Sequence, residues 1–101
     1  MNNSGAAEET SLHSAIAEKY LDVAALLIRE GANVNAQNKR SSRTPLHFLA
    51  AFIDDDGLLE PMIQHGAEIN ARDKNGETPL GIAIRFKHAH LAEALKRYGG
   101  I

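Results

Sequence analysis

The sequence predicts an all-α solenoid of three stacked helix-turn-helix units, and two repeated patterns carry that expectation. The first is Thr10-Ser11-Leu12-His13, Thr44-Pro45-Leu46-His47 and Thr78-Pro79-Leu80-Gly81, separated by two equal steps of 34 residues. A Thr side chain accepts from the free N–H groups of a helix start, Pro suits the first helical position, and Leu opens the buried face. The second pattern, Gly31-Ala32-Asn33-Val34-Asn35-Ala36, returns as Gly66-Ala67-Glu68-Ile69-Asn70-Ala71. A glycine in the left-handed conformation ends a helix, so each unit is bounded at both ends. Self-similarity at such a period marks small units that bury their apolar faces only by stacking.

Residues 1–8 are small and polar without periodic apolar content, and are expected to form a flexible leader to a repeat domain over 9–101. The units run about 10–43, 44–77 and 78–101. In the first, Leu12, Ala15 and Ile16 recur at helical spacing. Glu18-Lys19 break the pattern, and Leu21, Val23, Ala24, Leu26, Leu27 and Ile28 form a denser second helix. After Gly31 the chain extends into a turn, Gln37 to Arg43, that carries Lys39, Arg40 and Arg43.

The second unit runs its first helix through Leu46, Leu49 and Ala50. Thr to Gly is 22 steps here (Thr44 to Gly66) against 21 in the other units, so one residue is inserted, at Asp54-Asp55-Asp56-Gly57. Proline costs about 3 kcal/mol inside a helix but little in its first turn. With Pro61 in the way, the second helix should start late, near Leu58 to Glu60, or kink. Asn75-Gly76, within the turn Arg72 to Glu77, supplies the positive φ of a tight hairpin. In the third unit Lys96 replaces Ile28 and Ile63, as befits an array that ends in a polar outer face. That change predicts a complete short array with its own C-terminal cap. Helix starts are therefore expected near Thr10, Leu21, Thr44, Leu58, Thr78 and Ala89.

Thr-Pro-Leu-His at this period resembles the ankyrin repeat family from about Glu9 to Gly99, and against that family's repeat the turn Gln37 to Arg43 carries one extra residue. The resemblance implies an ankyrin-repeat solenoid with β-hairpin fingers between the helix pairs. It gives structural roles to Thr10, His13, Thr44, Pro45, His47, Thr78 and Pro79, each imidazole bonding backbone and the Thr hydroxyl. It also implies protein binding through the finger tips and the first helices just beyond the Leu-His-x-Ala frame. Carried over, the finger residues are Lys39, Arg40, Ser41, Arg43, Lys74, Asn75 and Glu77. The helix residues are Ala17, Glu18, Ala51, Phe52, Arg85 and Phe86. Phe52 and Phe86 hold equivalent positions and are expected to line up on a concave face, with Lys39, Arg40 and Arg43 as a rim suited to an acidic partner. The alternative is that the insertion turns Phe52 into the core.

Composition narrows the function classes. With 44% apolar and 24% charged residues the chain has the balance of an ordinary globular protein. No apolar run approaches the roughly 18 residues of a membrane helix. The first nine residues have neither the basic start nor the apolar stretch of a secretory signal, so a cytoplasmic location is expected. Zero cysteines remove disulfide, thiol-redox, zinc-thiolate and cysteine-nucleophile chemistry. A formal charge of −2 is too small to point to nucleic acid.

No residues present themselves for catalysis. His13 and His47 lie in the helix-start frame and read as structural. His88 and His90 are two apart on a helical stretch, so they diverge and make a poor metal pair. Asp54-Asp55-Asp56-Gly57 lacks the third spaced acid and the Glu at position twelve of a calcium loop, and reads as a solvated loop with a helix-capping Asp. There is no Gly-rich phosphate loop, and Ser41-Ser42 has no paired base. The expectation is a non-enzyme without cofactor or metal, a monomer that binds one protein as inhibitor, adaptor or neutralising partner, without nucleic acid or membrane. The alternative is a self-associating structural protein whose concave face or array end mediates a homodimer.

Overall fold

In the computed structural model, which describes residues 10–101, six helices follow one another: α1 (Ser11–Ala17), α2 (Leu21–Arg29), α3 (Pro45–Phe52), α4 (Leu59–Gln64), α5 (Pro79–Arg85) and α6 (Ala89–Arg97). The leader expected over residues 1–8 lies outside the described residues. Thr10, Thr44 and Thr78 are the N-caps of α1, α3 and α5, each hydroxyl accepting from the backbone N–H three residues on. At the first two the histidine ring returns the favour by accepting from the Thr N–H, so His13 and His47 occupy the place that Glu takes in a capping box.

The second helices stop at Gly31, Gly66 and Gly99, all at positive φ. Ala32 N–H reaches back to the Leu27 carbonyl at 2.9 Å and Gly31 N–H to that of Ile28 at 3.1 Å, the paired bonds of a Schellman ending. Pro61 is the third residue of α4, in the first turn where its missing N–H has no intrahelical duty, and α4 is six residues long against nine in α2 and α6. The inserted residue shows itself just upstream. α1 and α5 are followed by Lys19 and Lys87 at positive φ, whereas α3 is followed by Ile53 in extended backbone, with its side chain buried.

α3 packs against α1 on one side and α5 on the other, while α2 packs on α4. This explains why α3 is buried from Pro45 to Ala50 with hardly a polar side. Leu12, Ile16, Leu46, Leu49, Leu59, Met62, Ile82, Leu91 and Leu95 are fully buried and form one continuous core through all three units. Ile84 is 57% exposed although Ile16 and Ala50, its counterparts, are at 0%, because it points where a further unit would stack.

Two kinds of polar pin join each unit to the next. The Nε2–H of His13 donates to the Arg43 carbonyl at 2.8 Å and that of His47 to the Glu77 carbonyl at 2.9 Å. Asn35 donates to the Gly66 carbonyl at 2.9 Å and accepts from Glu68 N–H at 2.8 Å. Asn70 repeats this with Gly99 at 3.2 Å and Ile101 at 2.9 Å. The third unit has Gly81 in the histidine's place, and there the Thr78 hydroxyl donates instead to the Ile101 carbonyl.

The fingers expected as β-hairpins contain no strand among the described residues. Each is a turn closed by two backbone bonds, Asn38 N–H to Arg43 carbonyl at 2.9 Å with Ser42 N–H to Asn38 carbonyl at 3.0 Å, and Asp73 N–H to Glu77 carbonyl at 3.0 Å with Gly76 N–H to Asp73 carbonyl at 2.9 Å. The N–H groups that would extend a ladder go to side chains. Asn38 Oδ1 accepts from Arg43 N–H, and Asp73 Oδ1 from Asn75 and Glu77 N–H, each at 2.9 Å. The first turn closes over one residue more than the second, which is where the extra residue resides. Lys74 N–H donates to the Ser41 carbonyl at 2.8 Å and ties the two fingers together.

If these pins hold the stack, His47→Ala should lower unfolding free energy by about 1–3 kcal/mol, since the Glu77 carbonyl and Thr44 N–H lose their partner in a dry site. Asn70→Ala, at an exposed site, should cost about 1 kcal/mol. Urea denaturation followed by circular dichroism gives both values, and an unchanged midpoint for His47→Ala would show that the ring is not a pin.

Candidate functional site

At the finger bases the charges form a connected set. Arg43 Nε lies 3.2 Å from Asp73 Oδ2, and its Nη2 lies 3.8 Å from Glu77. Glu77 is gripped from the other side by Arg85, whose Nε and Nη2 reach its two oxygens at 3.1 and 2.8 Å. The Asp73 side chain is 1% exposed. Burial disfavours its charge, but the bonds from Glu77 N–H, Arg43 and Asn75 N–H outweigh burial and hold the carboxyl below its ordinary range. His47, entirely buried, is shifted down chiefly by burial, with the Glu77 carbonyl and the Asp73 charge opposing.

The ring geometry agrees with a neutral imidazole. Nε2 faces a carbonyl, which can only accept, and Nδ1 faces the Thr44 N–H at 3.0 Å, which can only donate. The proton therefore sits on Nε2, and the Thr44 hydroxyl at 2.9 Å turns its hydrogen to the same Nδ1 lone pair. His13 stands in the same relation to Thr10 and Arg43. Among the described residues these groups bond one another within and between units.

Of the carried-over residues, Arg43 and Glu77 are thus committed to internal ion pairs, with side chains 21% and 27% exposed. Lys39, Arg40, Lys74 and Asn75 are exposed, and Ser41 is half-buried with its hydroxyl on Asn38. On the helices two rows cross the three units at the repeat's own step. Ala17, Ala51 and Arg85 form one, half-buried in the first two units and exposed in the third. Glu18, Phe52 and Phe86 form the other, all exposed.

Phe52 is 42% and Phe86 46% exposed, so the insertion does not turn Phe52 into the core. No ring contact joins them among the described residues. Phe52 meets buried Phe48 edge-on at 5.7 Å, and Phe48 meets the His13 ring at 4.7 Å. Phe86 stacks on His88 at 6.3 Å with the Arg85 guanidinium 5.0 Å from its centroid. The row and the first finger lie at opposite ends of α3, a helix about 12 Å long.

The loop of the second unit joins the third in a way the sequence reading did not anticipate. Asp54 Oδ1 accepts from Leu91 N–H at 2.9 Å and so caps α6, a helix of the next unit. His88 donates from Nδ1 to the Ala50 carbonyl at 2.8 Å and satisfies the end of α3, while His90 is exposed. Asp56 lies 3.4 Å from His90 and 3.7 Å from Arg97, and Asp55 folds back on Gly57 N–H. Asp55, Asp56 and His90 can bring one ligand atom each within 4.8 Å of one another, at the solvent-facing edge. Asn35, Asn70, Asn38 and Asp73 were also unforeseen as working residues. Their signal was present, since Asn35 and Asn70 hold the same place in the repeated Gly-Ala segment.

Stacked helix pairs capped by Thr, closed by Gly and bridged by turn fingers define a helical repeat array. The family model described as ankyrin repeats (3 copies) matches residues 12–101, and the chain belongs to the ankyrin repeat family. Among curated relatives, human Rabankyrin-5 is 33% identical over 102 residues, covering 90% of this chain and 9% of that protein. The Drosophila melanogaster ARF GTPase-activating protein Git is 33% identical over 84 residues, 83% of this chain and 11% of the relative. The mouse ankyrin repeat and SOCS box protein 6 is 34% identical over 71 residues, 70% and 17%. The chain thus spans less than a fifth of the length of these relatives. Ankyrin repeats are generally protein-protein interaction modules, and the family is generally non-enzymatic. Among the described residues no helix is long and apolar enough to cross a membrane.

The depressed values of His47 and Asp73 carry a definite pH dependence. Below the ordinary histidine value of 6.5 the unfolded chain takes up a proton that folded His47 refuses, so its contribution is complete above that pH and is lost on acidification. Asp73 adds a second loss below the ordinary carboxylate value of 3.8. Urea unfolding from about pH 7.5 down to about 5 should show stability falling with pH, with a shallower slope for His47→Gln. Equal slopes would mean that His47 is not held neutral.

Proposed function

We propose that the chain is a cytoplasmic module that binds one partner protein across the row Glu18, Phe52 and Phe86, with Ala51 and Arg85 beside it and the finger residues Lys39, Arg40, Lys74 and Asn75 at the rim, acting as an inhibitor, adaptor or neutralising partner. The observation that carries this reading is the pair of half-exposed phenylalanines at equivalent places on adjacent first helices. A ring anchored at its base by another ring, as Phe52 is by Phe48, loses little freedom on burial, and large aromatics carry about 2 kcal/mol or more when centred in an interface. Arg43 and Glu77 act in this reading by holding the fingers and presenting Arg85. The basic rim suits an acidic partner surface and sets encounter rate and salt dependence more than affinity. The absence of cysteine accords with a reducing compartment.

Affinity capture from the source organism with the wild-type chain and a Phe52→Ala/Phe86→Ala variant tests the reading. The variant should lose the captured protein while its unfolding midpoint falls by no more than the equivalent of about 1–2 kcal/mol, since both rings are half in water. Lys39→Glu/Lys74→Glu should weaken capture more at low than at high salt. Undiminished capture by both variants would move the site off this face.

A further inference from the structure

The second finger carries the one Asn-Gly step in the chain, Asn75-Gly76. The other described asparagines use their side chains to hold structure. Asn33 accepts from Asn35 N–H, Asn35 and Asn70 join units, and Asn38 closes the first finger. Asn75 is exposed, and its side-chain amide has no hydrogen-bond partner among the described residues. The next residue, Gly76, lies at φ +79 and has no Cβ to screen its own backbone nitrogen.

An asparagine so placed can react with its own chain. The backbone nitrogen of Gly76 attacks Cγ of Asn75, the new Cγ–N bond closes a cyclic imide, and the Cγ–Nδ2 bond breaks. The Gly76 proton leaves with the amide nitrogen as ammonia. Water then opens the imide, at Cγ to give aspartate in the original backbone, or at the main-chain carbonyl to give isoaspartate, whose chain runs through Cβ and Cγ. Water is the sole co-reactant, and nothing is oxidised or reduced.

The hold on the nucleophile governs this step. In the closed turn Gly76 N–H donates to the Asp73 carbonyl at 2.9 Å, and Asp73 Oδ1 accepts from the N–H groups of Asn75 and Glu77 at 2.9 Å each. Ring closure therefore passes through an opened turn, whose population falls with every bond that opening breaks. We propose that Asn75 is a site of spontaneous deamidation, with Asp73 as the brace that sets its rate. Each conversion adds a negative charge beside Lys74, in the finger that Lys74 N–H ties to the Ser41 carbonyl at 2.8 Å. Isoaspartate also lengthens the turn by one backbone atom, which shifts the Gly76 and Glu77 N–H groups off the Asp73 oxygens. The site stands independently of the partner-binding reading.

The full chain, held at neutral pH and body temperature, is digested with trypsin at intervals and weighed. The peptide Asn75 to Arg85 should gain one dalton and resolve into aspartate and isoaspartate forms, while the peptides carrying Asn33, Asn35, Asn38 and Asn70 stay unchanged. A synthetic peptide spanning Arg72 to Pro79 lacks the folded brace and should convert about tenfold faster or more. Asp73→Ala should bring the folded chain to within about threefold of that peptide, whereas Asp73→Asn, which keeps an acceptor oxygen, should stay within about threefold of wild type. Asn75→Gln should abolish the gain. Were Asp73→Ala to unfold the whole chain, the other asparagines would convert with Asn75, and the comparison of wild type with the peptide would decide instead. A wild-type chain unchanged at Asn75 after the peptide has fully converted, a folded chain as fast as the peptide, or a folded Asp73→Ala chain no faster than wild type would each overturn the proposal.

Discussion

The structure depends on one buried imidazole used in two directions. A helix start leaves backbone N–H groups without intrahelical partners, and the carbonyl that closes a neighbouring finger lies in the same dry layer. His47 serves both. Its Nδ1 accepts from Thr44 within its own unit while its Nε2–H donates to Glu77 in the next, so the geometry that starts a helix also sets the distance between units. Because Glu77 N–H is held by Asp73 and Asp73 by Arg43, the imidazole fixes the finger as well as the helix. Apolar burial supplies most of the drive to stack. It is indifferent to register, however, and the polar pins define which carbonyl meets which ring.

This division of labour accounts for what was legible in the sequence. Thr10, Thr44 and Thr78 announced three helix starts and Gly31, Gly66 and Gly99 three ends, because capping depends only on the chain within a few residues. Pro61 announced a late α4 for the same local reason. The exposure of Phe52 followed from its equivalence to Phe86 at a fixed distance from the Thr. What the sequence concealed were bonds between units. Arg43 read as one of three surface cations, and only the approach of two fingers puts Asp73 beside it. The Asp54 to Gly57 loop read as one with a helix-capping Asp, without sign that the helix would be α6 of the next unit. His88 read as one of a diverging pair with His90, and it closes α3. The strandless fingers belong to the same class, since Asn38 and Asp73 take N–H groups that a hairpin would have given to the opposite strand.

The outer faces of the first and third units differ in character. At the trailing end Lys96 and Gly81 stand where earlier units place an apolar residue and an imidazole, and Thr78 is satisfied by Ile101. The leading end has Ser11 and Ser14 on α1, polar and exposed, beside Val23 and Leu26 on α2, apolar and exposed. The two helices of the first unit thus treat water differently.

The most direct test of this account is the state of the His47 ring, read from its ¹⁵N chemical shifts by NMR across a pH titration. The account predicts that the ring is neutral near pH 7 with its proton on Nε2, and that it titrates below the ordinary histidine value of 6.5. A ring carrying its proton on Nδ1 would contradict it, because it cannot accept from Thr44 and donate to Glu77 at once, and one that titrates at or above the ordinary value would show that burial does not hold it neutral.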